Sequence, residues 1–291
     1  MPATLLKGKP VAKEMEKEIA EEVAALKAKG VSPRLSVVLV GDDPASAVYV
    51  GSKGRACDRV GIGSDTVAMP ASATEDEVIA VIDDLNANPA VHGILVQLPL
   101  PAQVDTDAVI RRVSPRKDVD GITPENIGRL LLGIPYIIAC TPAAILEMLD
   151  RYEVDIEGMN VAIIGRSRIV GKPLAALLMQ KARGRNCTVT VCHSRTRDIS
   201  GFTRSADMVV TAMGSPEYLK GDMVSDGCVV IDVGINRVED SAARRGYRLV
   251  GDACFDELDQ KASYITPVPG GVGPLTVAMV IKNTLIAAKG D

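Results

Sequence analysis

Tyr49 and Lys53 stand four residues apart in a segment that reads as a helix from about Ala45 to Val60, so they share one helical face. A lysine held against a phenol ring and away from water loses basicity, and a neutral amine can then act as acid or base near neutrality. The helix follows a short apolar run at 35–40, and ligands of open α/β sheets bind beyond the C-terminal ends of strands. Most lysines are simply solvated; the placement is what favours chemistry. Gln97 interrupts the apolar run Gly93-Ile94-Leu95-Val96 before Leu98-Pro99-Leu100-Pro101. A buried amide needs partners, found either in nearby backbone or on a ligand past the strand end. Lys117-Asp118-Val119-Asp120-Gly121 adds two carboxylates, each of which reads equally as a turn aspartate.

A second chemical signal is Val161-Ala162-Ile163-Ile164-Gly165-Arg166-Ser167-Arg168-Ile169-Val170-Gly171-Lys172-Pro173. An apolar strand runs into a glycine turn and then a helix start, where free backbone N–H groups favour an anion such as a pyrophosphate. The spacing is not GxGxxG, so a plain βα turn packed tightly on glycines stays open. The next strand ends in Cys192-His193-Ser194-Arg195-Thr196-Arg197. NAD-specific sheets carry an acidic residue near this point. Two arginines and two hydroxyls suit a 2′-phosphate instead, so NADP is preferred over NAD. Asp198 reads as a helix start, and His193 as a packing or capping residue. The loop Thr266-Pro267-Val268-Pro269-Gly270-Gly271-Val272-Gly273-Pro274 is stiff, and its glycines permit close approach to a ligand or serve a hinge.

The elements that must position these groups follow from periodicity. Val11, Met15, Ile19, Val23 and Leu26 form one helical stripe, ended by Gly30. Strands are expected at 35–40, 62–69 and 93–98, with a helix opened by the capping box Thr74/Glu77 between the last two. After Thr141-Pro142, read as N-cap and first helical residue, strands are expected at 161–164, 187–192, 208–212, 228–233 and 247–250. Helices are expected at 173–182 and, amphipathic, at 274–289. Strands alternating with helices imply parallel sheets.

The chain has 291 residues, enough for two domains, and its 33 basic and 37 acidic residues give a net charge of −4. That balance, with no Trp and two Phe, argues against a nucleic-acid partner. Lysines at 7, 9 and 13 argue against a signal peptide. The uncharged stretch 262–281 is rich in Pro and Gly, which argues against a membrane span. Six cysteines without a CxxC pair suit small buried hydrophobes in a reducing cytoplasm. Neither a metal spacing nor a Ser-His-Asp arrangement is evident in the sequence.

Taken together, these segments resemble the bifunctional methylenetetrahydrofolate dehydrogenase/methenyltetrahydrofolate cyclohydrolase family, nearly end to end. The matching stretches are Val40-Gly41-Asp42-Asp43-Pro44-Ala45-Ser46, Tyr49 with Lys53, residues 93–101 and 117–121, and Cys140-Thr141-Pro142. They continue with Gly165-Arg166-Ser167, Val170-Gly171, His193-Ser194, Asp232-Val233-Gly234-Ile235-Asn236 and residues 267–276. Ala139, and Ala253-Cys254 after Gly251-Asp252, depart from the family pattern.

The resemblance implies two α/β domains with a cleft between them, the second a Rossmann-type parallel sheet for NADP. Residues 1–120, completed by 275–291, would hold folate; 141–274 would hold NADP; 121–140 would connect them. Tyr49 would stack on the pterin or its arm, Lys53 would be the acid/base, and Gln97 would tune it. Asp120 would receive the amino-pyrimidine edge. Gly165, Arg166 and Ser167 would line the phosphates, Ser194 with Arg166 or Arg195 the 2′-phosphate, and Ile235 the cofactor. Gly271 and Pro274 would flank the substrate.

The implied reaction is NADP-dependent oxidation of 5,10-methylenetetrahydrofolate to the 5,10-methenyl form, then hydrolysis to 10-formyltetrahydrofolate, in a cytoplasmic homodimer. Three rivals remain at this point. A monofunctional dehydrogenase would lack the hydrolysis, and a nucleotide sensor would not need the Tyr49/Lys53 pair. A hydroxy-acid dehydrogenase would need a His/Asp pair, for which only His92 and His193 are available.

Overall fold

The computed structural model describes residues 2–241, 243 and 246–290. In chain order the elements begin β1 (Thr4–Leu5), α1 (Gly8–Ala28), β2 (Arg34–Val40), α2 (Pro44–Val60), β3 (Gly63–Met69), α3 (Glu75–Ala87) and β4 (Gly93–Val96). Next come α4 (Thr106–Arg112), α5 (Pro124–Leu131), α6 (Cys140–Arg151), β5 (Asn160–Ile164), α7 (Gly171–Leu178), β6 (Thr188–Cys192), α8 (Ile199–Arg204) and β7 (Met208–Thr211). After a 3₁₀ turn at Gly221–Met223 follow β8 (Val229–Asp232), β9 (Asn236–Glu239), β10 (Tyr247–Val250), α9 (Phe255–Leu258), β11 (Tyr264–Ile265) and α10 (Val272–Lys289).

The chain forms two compact units, Lys13–Cys140 with Val277–Asp291, and Met1–Ala12 with Thr141–Thr276. The division differs from the expected boundaries in two places. Residues 1–12 group with the second unit because β1 pairs in parallel with β11. Residues 121–140 belong to the first unit rather than to a connector.

The first unit is built on a parallel three-stranded sheet, β3-β2-β4. Val38, Val40, Ile94 and Val96 pack with Val78 and Ile82 of α3 and Val109 of α4. Local chemistry sets the helix ends. Asp43 caps α2 by accepting from the Ser46 N–H at 2.7 Å, with Pro44 in the first turn and Gly61 left-handed at φ 77° beyond its end. Thr74 and Glu77 form the expected reciprocal box on α3.

The second unit carries a six-stranded sheet, β1-β11-β8-β7-β5-β6, parallel throughout. The expectation that 247–250 continues this sheet is overturned. Tyr247–Val250 instead pairs antiparallel with β9 as a separate ribbon. Arg248 and Leu249 are exposed, whereas a strand inside a parallel sheet must be apolar on both faces. The sheet is extended by β11 and β1 instead, each too short to show periodicity.

Some ends also move. Helix α6 starts at Cys140, so Thr141 lies inside the first turn rather than capping it, and α7 stops at Leu178. Helix α10 begins at Val272 and is 18 residues long. Gly273 and Pro274 fall in its first turn, where missing donors cost nothing, so the breakers do not shorten it. By length and composition it could cross a membrane, but it packs as a core helix. Buried Leu275, Met279, Ile281, Asn283 and Leu285 lie on several sides of it, so it lacks the single apolar stripe expected.

Candidate active site

In the first unit, α2 carries Tyr49 and Lys53 past the C-terminal end of β2. The Lys53 ammonium donates to Gln97 Oε1 at 2.9 Å. Gln97 follows β4, where its main-chain N–H donates to Val38 O at 2.9 Å and its side-chain Nε2 to Leu98 O at 2.8 Å. With both ends engaged, the amide is fixed with its oxygen toward the amine. Burial pushes the Lys53 pKa below the ordinary lysine value; the negative field of Asp120 and the Cys140 thiol pull it partly back. Tyr49 lies one turn earlier and is 48% exposed, its ring free to meet a ligand.

Asp120 sits in a loop made rigid by its neighbour. Buried Asp118 accepts from the main-chain N–H groups of Gly121 at 3.0 Å and Thr123 at 2.7 Å, and from Asn126 Nδ2 at 3.0 Å. Asp118 is thus the turn carboxylate, and Asp120 is left for other work. Burial pushes the Asp120 carboxyl up to about 6, against the opposing pull of Lys53; Asp118 adds to the rise and a hydrogen bond from Cys140 lowers it. Gly121, at φ +70°, packs directly on the Ile138–Ala139 main chain, where a Cβ would sit 2.6 Å from Ala139 N. The Cys140 thiol, which sequence reasoning left as a small hydrophobe, lies against Asp120 and donates to Val119 O at 3.2 Å. An ammonium of reduced basicity next to a carboxylate of raised pKa can pass a proton near neutral pH.

In the second unit all the strands of the main sheet run the same way, so the turns after β5, β6, β7, β8 and β11 share one edge. Gly165–Ser167 follow β5 and Ser194–Arg195 follow β6, the adjacent strand. Gly165 is at φ +132° against Ala212 O, and Gly171 closes on Gly165 O, so neither has room for a Cβ. Arg166, Ser167, Ser194 and Arg195 are exposed at this edge. Ser167 Oγ also accepts the Val170 N–H at 3.1 Å, which shapes the turn. His193 Nδ1 accepts the Arg195 N–H at 3.1 Å, a capping role. Asp198 is occupied at the α8 N-terminus by the Gly201 N–H, leaving the tip of β6 cationic. Ile235, 49% exposed, follows β8, with Gly273 beside it. Gly271 and Pro274, expected at the substrate, lie in this second unit. The Gly271 N–H donates to Pro267 O at 2.7 Å, and a Cβ there would meet Thr266.

Two carboxylates stand in stretches quoted from the sequence without a role being read for them. Asp252 accepts from the N–H groups of Met213, Gly214 and Ser215 at 2.7–3.0 Å and from Asn236 Nδ2 at 2.9 Å. Asp232 accepts from Gly234, Asp252 and Ala253 N–H groups and from Thr211 Oγ1. Together they tie the turns after β7 and β8 to the ribbon. The glycines Gly234 and Gly251, which have no room for a Cβ against these carboxylates, were the available signal. Ala253 reaches Asp232 through its main chain, so its departure from the family pattern leaves this bond intact. Among the described residues, no group of three or more His, Cys, Asp or Glu could hold a metal ion.

A glycine turn without room for side chains, exposed amides and a cationic neighbouring tip fit a dinucleotide carrying an extra phosphate. Comparison with known proteins agrees. Residues 6–120 match the catalytic domain described as tetrahydrofolate dehydrogenase/cyclohydrolase, and residues 139–291 match its NAD(P)-binding domain. The chain belongs to the tetrahydrofolate dehydrogenase/cyclohydrolase family and carries both of its domains. The "Bifunctional protein FolD" of Moorella thermoacetica is 50% identical over 289 residues, 99% of this chain and 100% of its own. That of Chlorobium phaeobacteroides strain DSM 266 is 50% identical over 284 residues, 97% and 96% of the two chains. The crystal structure of the bifunctional enzyme FolD from Campylobacter jejuni superposes with a TM-score of 0.93 at 45% identity, covering 99% of both chains. The Trypanosoma brucei enzyme, solved with NADP and inhibitor, gives a TM-score of 0.93 at 42% identity, covering 99% of this chain and 98% of its own.

Proposed function

We propose that the chain oxidises 5,10-methylenetetrahydrofolate with NADP and hydrolyses the 5,10-methenyl product to 10-formyltetrahydrofolate. The observation that carries this is the half-buried Lys53 amine, bonded to Gln97 and facing the Asp120 carboxyl. The first unit binds folate: Asp120 accepts the amino-pyrimidine edge through paired hydrogen bonds, and Tyr49 stacks on the pterin or its arm. The strand-end turns of the second unit hold the dinucleotide, Gly165–Ser167 at the phosphates, Ser194 with Arg166 or Arg195 at the 2′-phosphate, and Ile235 beside it; Gly271 and Pro274 face the substrate.

A methylene carbon between two nitrogens releases hydride readily, because the nitrogen lone pairs stabilise the cation left behind. Bound NADP supplies the hydride acceptor, and the protein's part in this step is orientation. The methenyl cation is then attacked at carbon by water. Neutral Lys53 takes the first proton that water loses and returns it to the ring nitrogen as the carbon–nitrogen bond breaks; the remaining carbinol O–H gives up its proton to solvent as the C=O forms, leaving the formyl group on the other nitrogen. Gln97 holds the amine in place through both transfers. The presence of Lys53 and Gln97 together favours the bifunctional reading over a dehydrogenase alone.

We place the reaction in the cytoplasm, a reading supported by six free cysteines, five of them buried. The acidic balance supports a chain without nucleic-acid or membrane partners, and the homodimer rests on the family resemblance. Purified protein mixed with 5,10-methylenetetrahydrofolate and NADP, then with NAD, is expected to release NADPH faster than NADH and to accumulate little methenyl intermediate. Lys53→Met is expected to abolish methenyl hydrolysis; full retention in a folded variant would remove Lys53 from the mechanism.

A further inference from the structure

Asn283 lies on α10, more than 140 positions from the residues it touches, and is 3% exposed. Its Nδ2 donates to Val119 O at 2.8 Å and to Ile138 O at 3.0 Å, with the Cys140 sulfur at 3.5 Å. These three atoms bracket Asp120. Val119 precedes it; Ile138 belongs to the segment on which Gly121 packs; and the Cys140 N–H donates to Asp120 O at 3.3 Å while its thiol lies against the Asp120 carboxyl. One amide therefore joins the two main-chain segments that set the place of a carboxylate in the site. Next to it, Thr284 lies over Gly93 at the start of β4, where an added Cβ would sit 2.5 Å from Val119 Cγ1 and 3.1 Å from Thr284 Oγ1, so helix, loop and strand meet here without spare room.

We infer that Asn283 is a positioning residue for both reactions, holding the Asp120 carboxyl at the depth and angle at which it receives folate and faces Lys53. The inference rests on the folate-binding reading of the first unit. The bond is not a generic core contact, because an apolar residue of similar size would fill the space, leave the Ile138 carbonyl without this donor and leave Val119 O with the weaker Cys140 thiol alone. The charged and titratable groups around Asp120 are Lys53 from α2, Asp118 from its own loop and Cys140 from α6. Of these, the Cys140 thiol shares one acceptor with Asn283, at Val119 O, and does not take the place of the donor to Ile138 O.

The test is steady-state kinetics on Asn283→Leu, Asn283→Asp and Asn283→Ser in the full chain, with the acid limb of methenyl hydrolysis and calorimetric NADP binding. In Asn283→Leu the KM for folate is expected to rise about tenfold with NADP affinity unchanged, and the acid limb to move to lower pH as Asp120 relaxes toward water. In Asn283→Asp the limb is expected to move to higher pH, because a second carboxylate opposes ionisation. Asn283→Ser keeps one donor and should recover part of the loss; it is the variant to read if Asn283→Leu fails to fold. A lower Tm with KM and acid limb unmoved in all folded variants overturns the inference. An unaltered protein that fails to hydrolyse the methenyl substrate overturns instead the reading of the first unit.

Discussion

Asp120 changes charge nearer to physiological pH than an ordinary carboxylate, because burial raises its carboxyl to about 6. Folate recognition through an accepting carboxylate should therefore weaken as pH falls through 6. Stability runs the other way. A carboxyl whose folded pKa is raised favours folding below about 4, and that contribution is lost as pH rises through 6. Asp120→Asn should abolish most folate turnover and raise Tm more at pH 8 than at pH 4, as scanning calorimetry at the two pH values would show; an equal shift at both would contradict the buried-carboxylate account. Much of this cluster is legible in the sequence. Tyr49 and Lys53 announce themselves by helical spacing, and Gln97 by its polarity in an apolar run. Cys140 and Asn283 do not, because their roles come from contacts outside any local pattern, 21 positions away for Cys140 with Val119 and 164 for Asn283 with Val119.

At the scale of elements, the residues proposed to bind the cofactor lie at turns following parallel strands of the second unit, so each tip can be altered without removing a strand. Arg166 and Arg195 are exposed on adjacent tips, where neither sustains the sheet. Substituting Ala at both is expected to lower the NADP/NAD ratio of kcat/KM by about tenfold or more, the loss of charge-assisted bonds to one phosphate. An unchanged ratio would end the 2′-phosphate assignment. The capping box Thr74/Glu77 announces α3, but a cap alone was not enough: α4 and α5, capped by Asp105 and Thr123, are 7 and 8 residues long and show no sustained period. The two-residue strands β1 and β11 carry no period, and β10 has strand-forming residues but pairs antiparallel with β9 in a ribbon of its own. The roles of Asp232 and Asp252 were hidden for another reason. Their partners are backbone amides, and an amide looks the same in every residue.

For the whole molecule, the proposed roles, with Asp120 and Tyr49 of the first unit on folate and the strand-end turns of the second on the dinucleotide, make a selective prediction. Asp252→Ala strips an acceptor from three main-chain N–H groups and Asn236, costing about 1–3 kcal/mol in the second unit. Its NADP Kd should rise while folate binding persists, and Asp120→Asn should do the reverse; calorimetry with each ligand alone would reveal any crossover. The discontinuous make-up of both units was only partly legible. The last helix could be guessed as part of the first unit, but nothing in residues 1–12 points to a strand beside 264–265. Helix α10 also imposes an order on synthesis. The sheet that carries Gln97 emerges from the ribosome long before Val277–Asp291, and at typical elongation rates it waits roughly 10–40 s for the helix that lies over Gly93 and clamps Val119. During that wait an apolar sheet face stands open in the nascent chain, so substitutions that slow elongation or weaken α10 should show up in the cell first as aggregation, with catalytic constants of the surviving enzyme intact.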